Sequence, residues 1–515
     1  MLLANIIKIY IYNHTQIGDG ELRNMVNREL YSGPSKNKGH KELNHLTKDL
    51  QIKLRKKEYN FKDADKIVDD EFKARQDRQD SNTNLVKTEH SITTKTLTQE
   101  KDVGCVSIDV EKSISESEPK KIKVDDTIGP PNIDDPNFEL VRKKIDWKDK
   151  LYLAPLTTVG NLPFRRICKK FGADITCGEM AMSLQILQGH QPEWALVQRH
   201  ESEDIFGIQL CGPSPQQMAR VAQLIDDGHI KCDFVDINLG CPIDLVYGRG
   251  MGSGLMMRKK PLEVMARSMA SILARTSQTP LTIKMRTGVY ADKHLAHNLA
   301  PTALESWGTS MVAIHGRSRE QRYTRSADWE YIQRVAEAAN ESSIVNSYGG
   351  TVPIFGNGDV INYEDYNNFR ARAPTVSGVM IARGALIKPW VFKEIKEQRH
   401  WDISASERLD MIRDYTNYGL EHWGADDKGV ETTRRFLLEW LSFLHRYVPH
   451  GILASPPQRI NERLPKYFRG RSDIETLLCS PICADWIKIS EMFLGKTPDN
   501  FRFEPKHKAH AYKQS

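Results

Sequence analysis

The chain contains 515 residues, of which 39% are apolar and 27% charged, a balance typical of a globular protein with more than one domain. No apolar run reaches the roughly 20 residues of a membrane-spanning helix, so no membrane partner is expected. The net charge of +6 permits a nucleic-acid partner without arguing strongly for one. The eight cysteines are scattered, which predicts free thiols in a reducing compartment. The expected location is the cytoplasm, with the nucleus as a further candidate.

Residues 1–145 are rich in Lys, Asp, Glu, Ser, Thr and Asn and poor in aromatic side chains. Such a composition cannot bury enough apolar surface to offset the ordering entropy, so this charged N-terminal arm is expected to be mostly disordered. Residues 50–74 are the exception, since apolar residues recur there at helical spacing among basic ones. This segment predicts either a short helix that docks on RNA or on the next domain, or a solvated charged helix.

Residues 146–400 carry short apolar runs, each followed by a helix-like stretch. The runs are 151–156, 175–180, 206–210, 234–238, 281–285, 311–315, 352–355 and 378–381. Eight strands alternating with helices predict an α/β fold, a (β/α)8 TIM barrel, whose chemistry lies at the carboxyl ends of its strands. A doubly wound sheet also alternates, but its first turn is glycine-rich, whereas this one reads Thr-Thr-Val-Gly-Asn. Only helical periodicity follows, so residues 401–515 are expected to form an all-helical domain.

Polar and reactive residues collect where the predicted strands end, and a barrel brings such positions to one mouth. The loops after strands 7 and 8 contain Gly358 and Gly384. Barrels commonly bind a phosphate at these two loops, and the alternative is that the glycines only permit tight turns. Lys284 and Gln209, at the ends of strands 5 and 3, suit the ring of a flavin. The alternative for each is a side chain that faces solvent.

Cys241 lies in a Gly-Cys-Pro turn just beyond strand 4. A cysteine without context is more often a buried structural residue, whereas a neutral thiol at this position could donate a proton. His315 could contact a flavin phosphate or handle protons, and the alternative is a histidine satisfied by local hydrogen bonds. Arg317, Arg319 and Arg322 follow it, and this density of arginine near a cofactor suits a polyanionic substrate.

Six motifs of the chain resemble the tRNA-dihydrouridine synthase family, and the resemblance runs from about residue 147 to residue 512. The motifs are Leu153-Ala154-Pro155-Leu156-Thr157-Thr158, Asp236-Ile237-Asn238-Leu239-Gly240-Cys241-Pro242, Lys284-Met285-Arg286, Ile314-His315-Gly316-Arg317, Gly356-Asn357-Gly358-Asp359 and Ala382-Arg383-Gly384. Within the family, residues 161–166, 318–323 and 397–403 resemble the eukaryotic branch that modifies position 47 of tRNA.

The resemblance implies reduction of uridine to 5,6-dihydrouridine in tRNA, with FMN as the bound cofactor and NADPH or NADH as the reductant. It implies that a hydride passes from the flavin N5 to C6 of a flipped uridine while Cys241 protonates C5. Asn238 and Arg286 are implied to grip the uracil edge. The residues implied to hold FMN are Pro155, Leu156, Thr157, Gln209, Lys284, His315, Asn357, Gly358, Asp359, Ala382 and Arg383.

The expected partner is tRNA, with messenger RNA as a further candidate, and the expected state is a monomer. Members of the branch usually carry zinc fingers ahead of the barrel, but Cys105 is the only cysteine before Cys168, so no metal site is expected. An insertion at 342–350 precedes strand 7, away from the mouth, and is expected to have little catalytic effect. The helical domain interleaves aromatic residues with cations, and its exposed cations are expected to bind RNA.

Two alternative interpretations remain open. One is a flavin-dependent barrel enzyme that acts on free pyrimidines, which would need neither the helical domain nor the arginines at the mouth. The other is a catalytically inactive RNA-binding scaffold, and the presence of Cys241, Lys284 and His315 argues against it.

Overall fold

The structure is a computed structural model that describes residues 42–96, 143–341, 351–465 and 467–506. The expected disorder of residues 1–41 and 97–142, the insertion at 342–350 and Cys105 lie outside the described residues. No helix within these described ranges is both long and apolar enough to cross a membrane.

Eight parallel strands form a closed barrel. They are β1 (Leu151–Leu153), β2 (Ile175–Cys177), β3 (Ile205–Cys211), β4 (Phe234–Leu239), β5 (Leu281–Arg286), β6 (Thr309–His315), β7 (Ile354–Asn357) and β8 (Gly378–Ile381). Each strand pairs with the next along the chain, and β8 pairs with β1, which closes the sheet. The predicted TIM barrel is therefore confirmed, with a strand at every predicted apolar run. Parallel strands are covered on both faces, so they read as continuous apolar runs.

Among the residues described ahead of the barrel, two helices are present, α1 (Lys48–Arg55) and α2 (Lys62–Thr96). The barrel region contains α3 (Leu162–Lys170), α4 (Ser183–Leu187), α5 (Gln191–Trp194), α6 (Pro215–Asp226), α7 (Asp244–Gly248), α8 (Lys259–Leu273), α9 (Ala296–Ser306), α10 (Trp329–Asn340), α11 (Tyr363–Arg372), α12 (Arg383–Ile387) and α13 (Val391–Glu397). The C-terminal part contains α14 (Ala405–Trp423), α15 (Asp427–Leu444), α16 (Asp473–Leu478) and α17 (Cys483–Leu494). Short 3-10 helices span Ala195–Val197, Gly252–Met257 and His450–Ile452. Two-residue strands lie at Glu42–Leu43, Arg199–His200 and Ala181–Met182.

Aromatic side chains fill the amino end of the barrel. Trp147 precedes β1 and meets Phe234 edge to face, with ring centroids 5.6 Å apart. Tyr152 makes a similar edge contact with Phe355 at 5.9 Å. All four side chains are buried, and edge-to-face packing is a favourable arrangement for aromatic rings. The interior is thus closed at this end, and the carboxyl ends of the strands are left to form the site.

The helical domain packs directly on the barrel. Helix α14 lies against α3, and α15 lies against α12. The indole of Trp440 in α15 is fully buried and donates its N–H to the carbonyl oxygen of Leu386 in α12, at 3.1 Å. Its ring also contacts Phe164 of α3, with centroids 5.5 Å apart. These contacts fix the domain beside the mouth of the barrel.

Part of the N-terminal arm is folded. Leu50 and Leu54 of α1 and Ile67 and Val68 of α2 belong to the main hydrophobic core. Helix α2 lies along α6 and α8. Its ion pairs with the barrel helices are Asp65 with Arg220 at 2.8 Å, Glu71 with Arg267 at 2.8 Å and Arg75 with Glu263 at 3.0 Å. The segment predicted as a helix therefore docks on the barrel, and the helical part of the arm extends beyond the predicted residues 50–74.

Candidate functional site

A cavity of about 440 Å³ opens at the carboxyl ends of the barrel strands. Every residue that the sequence analysis assigned to cofactor, base or acid lines it. They are Pro155, Leu156, Thr157, Gln209, Asn238, Cys241, Lys284, Arg286, His315, Asn357, Gly358, Asp359, Ala382 and Arg383. The barrel topology brings together positions that are more than 200 residues apart in the chain. Their individual roles remain predictions.

Other lining residues escaped the sequence analysis or were only noted in passing. Met180 follows β2, and Tyr323 stands at the end of an arginine-rich segment that had been singled out. Phe443 and Ile460 come from the helical domain. Phe443 lies in an apolar helical stripe, which indicates core packing, so no local signal identified it. Arg319 does not line the cavity and instead pairs with Asp244 at 2.7 Å.

The Cys241 turn is held by hydrogen bonds. The side-chain oxygen of Asn238 accepts the backbone N–H groups of Gly240, at 3.1 Å, and of Cys241, at 2.9 Å. The Ser253 hydroxyl donates to the carbonyl oxygen of Cys241 at 2.7 Å. Burial raises the pKa of the Cys241 thiol above its usual value, and Arg286 and Lys284 oppose this shift. A neutral thiol suits a proton donor better than a nucleophile.

Lys284 and His315 both line the cavity. The Lys284 ammonium lies 3.5 Å from Oδ1 of Asn357, and burial lowers its pKa to about 8. Nε2 of His315 lies 3.3 Å from a guanidinium nitrogen of Arg317. Arginine can only donate, so Nε2 must accept and the imidazole is neutral. Burial and the surrounding cations lower the pKa of His315 well below its usual value, which agrees with the neutral form.

Asp359 links the loops after β6, β7 and β8. Its carboxylate accepts from Arg317 at 2.6 Å, from Arg383 at 3.0 Å and from the backbone N–H of Ala327 at 2.8 Å. A carboxylate would repel a phosphate, so Asp359 acts on the site through the two guanidinium groups that it orients. The resemblance implied that Asp359 holds FMN, without this distinction.

Arg286 braces the turn that carries Cys241. Its Nε donates to the carbonyl oxygen of Gly240 at 2.8 Å. Its Nη1 donates to the carbonyl oxygens of Ser318 at 2.9 Å and of Arg322 at 3.3 Å, in the loop after β6. Most of its donors are therefore bound to backbone.

The cavity fits an anionic nucleotide cofactor such as FMN. Asp359 is the only carboxylate among the described residues that line it, whereas the lining cations are Lys284, Arg286, Arg317, Arg322 and Arg383. This excess of positive charge favours a ligand with a phosphate and an electron-accepting ring. The volume falls within the usual range of roughly 300–1,000 Å³ for ligand pockets. The residues that could hold such a cofactor are those of the loops after β7 and β8, and Lys284 would supply a positive charge to it.

Gly384→Ala is expected to remove flavin binding, because a Cβ at Gly384 would overlap the carbonyl oxygen of Val360 and separate the β7 and β8 loops. Such a clash costs about 1–3 kcal/mol. The ratio of flavin absorbance to protein absorbance after purification measures the effect. Gly248→Ala is the matched control, since a Cβ there meets nothing within 4 Å. Equal flavin content in the two variants would contradict the close approach of the loops.

Comparison with known proteins gives a consistent set of relatives. The family described as "Dihydrouridine synthase (Dus)" matches residues 152–442. The "tRNA-dihydrouridine(47) synthase [NAD(P)(+)]-like" of Xenopus tropicalis is 59% identical over 372 residues, 72% of this chain and 55% of that protein. The "tRNA-dihydrouridine(47) synthase [NAD(P)(+)]" of Coprinopsis cinerea is 45% identical over 481 residues, 92% of this chain and 69% of that protein. The chain thus spans just over half the length of the animal relative.

A solved structure of TcOYE with pHBA matches 48% of this chain and 89% of its own at 10% identity and a TM-score of 0.33, which is too weak to bear on function. The family match is stronger evidence, because it covers more than half of the full sequence. The Coprinopsis cinerea relative is covered over more than two thirds of its length. The chain belongs to the dihydrouridine synthase family.

Proposed function

We propose that this protein reduces uridine to 5,6-dihydrouridine in tRNA, at position 47, with FMN as cofactor and NADPH or NADH as reductant. The observation that carries the proposal is the single cavity that collects Cys241, Lys284 and the loops after β7 and β8. The names of the relatives support the substrate and the position. We further propose a monomer in the cytoplasm or nucleus.

The FMN, when bound, supplies the hydride that adds to C6 of the base. Pro155, Leu156 and Thr157 line the wall formed by the β1 loop and are proposed to lie against the flavin. The Lys284 ammonium would offset negative charge that develops on the ring. His315, Asn357, Gly358, Ala382 and Arg383 are proposed to hold the phosphate side.

Cys241 is proposed to donate its thiol proton to C5 of the uracil. Its raised pKa keeps the proton on sulfur at neutral pH, so the group is ready to act as a general acid. Asn238 and Arg286 line the same part of the cavity and are proposed to hold the base edge. A base in a stacked RNA cannot reach this depth, so the target nucleotide must flip into the cavity.

The RNA is proposed to lie across the mouth and the adjacent helical domain. Arg322 and Tyr323 stand at the mouth, and on the helical domain Arg459, Tyr467 and Arg469 are exposed. Exposed cations bind phosphates and exposed aromatic rings stack on bases. Some cations of this domain cannot serve, because their side chains are buried. They include Arg434 and Arg446.

An assay on a tRNA transcript tests the proposal. The purified protein is expected to be yellow, to bleach with NADPH or NADH, and to form dihydrouridine at position 47, as read by mass spectrometry of nuclease fragments. An inactive scaffold would not bleach or turn over. Free uridine or orotate at millimolar concentration is expected not to compete, because the mouth arginines favour a polyanion. Turnover of a free pyrimidine at a comparable rate would favour the other barrel enzyme, and messenger RNA is assayed in parallel.

A further inference from the structure

A chain of hydrogen bonds connects a buried carboxylate to the Cys241 turn. Asp236 lies in β4 and is 1% exposed. Its Oδ1 accepts from the Thr282 hydroxyl at 2.7 Å, and its Oδ2 accepts from Nε2 of Gln209 at 2.8 Å. Oε1 of Gln209 accepts from Nδ2 of Asn238 at 2.7 Å. Oδ1 of Asn238 then accepts the backbone N–H groups of the turn.

Asp236 and the Cys241 turn, at the two ends of this series of hydrogen bonds, permit only one orientation of the side-chain amides of Gln209 and Asn238 between them. An ionised carboxylate can only accept, so Gln209 must direct its NH2 group at Asp236. Its oxygen is then left for Asn238, which must offer its own NH2 group. The oxygen of Asn238 therefore faces the turn, where the backbone N–H groups can only donate. Reversal of either amide would place two donors or two acceptors against each other.

We propose that Asp236 is a positioning residue that sets the orientation of Gln209 and Asn238 and thereby holds the Cys241 turn. Each amide nitrogen has a second N–H, and both residues line the cavity. Ligand atoms that face these amides must then be acceptors, such as the carbonyl oxygens of a flavin ring for Gln209 and of uracil for Asn238. An amino group, as in cytosine, would meet a donor and leave both donors unsatisfied. The link to uracil rests on the proposed function, but the hydrogen-bond chain does not.

The charge of Asp236 is balanced by its surroundings. Burial raises its pKa to about 6, while hydrogen bonds from Gln209 and Thr282 and the nearby Lys284 ammonium oppose this shift. Cys177 and Tyr152 also face it, and the carboxylate contributes to the raised pKa of both groups. At neutral pH Asp236 is therefore an acceptor. Below pH 6 it gains a proton and becomes a donor, and the amides lose their fixed orientation.

Asp236→Asn tests the proposal in the holoprotein, because asparagine has the same shape but can also donate. The readout is hydrogen–deuterium exchange, by mass spectrometry, of the peptide that contains Gly240 and Cys241. Exchange at these two amides is expected to accelerate about tenfold, the factor that one net hydrogen bond represents. Thr282→Val is the matched control, since it removes a hydrogen bond from Asp236 but leaves Gln209 facing a carboxylate. It is expected to leave the exchange unchanged.

The double variant Asp236→Asn, Gln209→Glu separates orientation from packing. Glutamate at 209 can accept from both sides, so Asn238 keeps its orientation, and slow exchange is expected to return.

The pH dependence of exchange is a further test. Once corrected for the intrinsic effect of pH, exchange in the wild type is expected to accelerate below pH 6, whereas exchange in Asp236→Asn is expected to show no such acceleration. Unchanged exchange in Asp236→Asn, or equal acceleration in Thr282→Val, overturns the proposal. None of these readouts requires turnover, so they remain decisive if the proposed function fails.

Discussion

Cys241→Ala is expected to lose dihydrouridine formation while it keeps bound flavin and its reduction by NADPH. The thiol is the only cysteine among the described residues that line the cavity, and a general acid contributes about 10²–10⁴-fold to a rate. Single-turnover oxidation of the reduced protein by tRNA, followed by flavin absorbance, is expected to slow by this factor. The reduction half of the cycle is expected to remain at the wild-type rate.

Cys211→Ala is the matched control for this prediction. Cys211 is buried and packs in the same small cluster as Cys241, but it does not line the cavity. Its removal costs packing energy and leaves the site intact. If Cys241→Ala modifies tRNA as fast as Cys211→Ala, Cys241 is not the acid.

Lys284→Met is expected to slow the reduction of bound flavin by about 10²–10³-fold, the usual cost of removing a preorganised electrostatic group. The variant keeps an unbranched side chain of similar length and loses the charge together with the hydrogen bond to Asn357. Stopped-flow measurement of flavin bleaching by NADPH gives the rate directly. Lys260→Met, on the exposed surface of α8, is the control and is expected to match the wild type.

The pH dependence of flavin reduction is a second, independent test of the role of Lys284. Burial lowers the pKa of Lys284 to about 8, so the ammonium is present below pH 8 and is lost as the pH rises through that value. The reduction rate of the wild type is expected to fall above pH 8, and a bound anion would move the fall to higher pH. The rate of Lys284→Met is expected to lack this fall. A fall of equal size in both proteins would assign it to another group.

The barrel was predictable because each of its strands appears in the sequence as a short apolar run. Strands such as β4 and β6 are buried along their whole length, so most of their residues are apolar, as in the run 311–314 of β6. Once eight such runs alternate with helices, the topology itself places Gln209, Lys284 and Arg383 at one mouth. The location of the candidate site was therefore predictable without knowledge of any side-chain contact.

The docking of the N-terminal arm was less predictable, because its cause is not local. Helix α2 has few apolar residues, and its composition is that of a solvated helix. Its acidic residues pair with arginines of α6 and α8 that lie more than 150 residues away, such as Arg220 and Arg267. A single sequence contains no spacing rule that links such partners.

The sequence by itself determined the class of fold and the end of the barrel that carries the site, because both follow from local periodicity and strand order. Its resemblance to the family indicated most of the residues that line the cavity. Only the tertiary structure decided what those residues do to one another. In the structure, Asp359 binds two arginines, and Arg286 donates a hydrogen bond to the backbone of the Cys241 turn. Phe443 of the helical domain forms part of the cavity wall. The physical reason is that hydrogen-bond partners, burial and pKa depend on distances between segments far apart in the chain, which the order of residues does not contain.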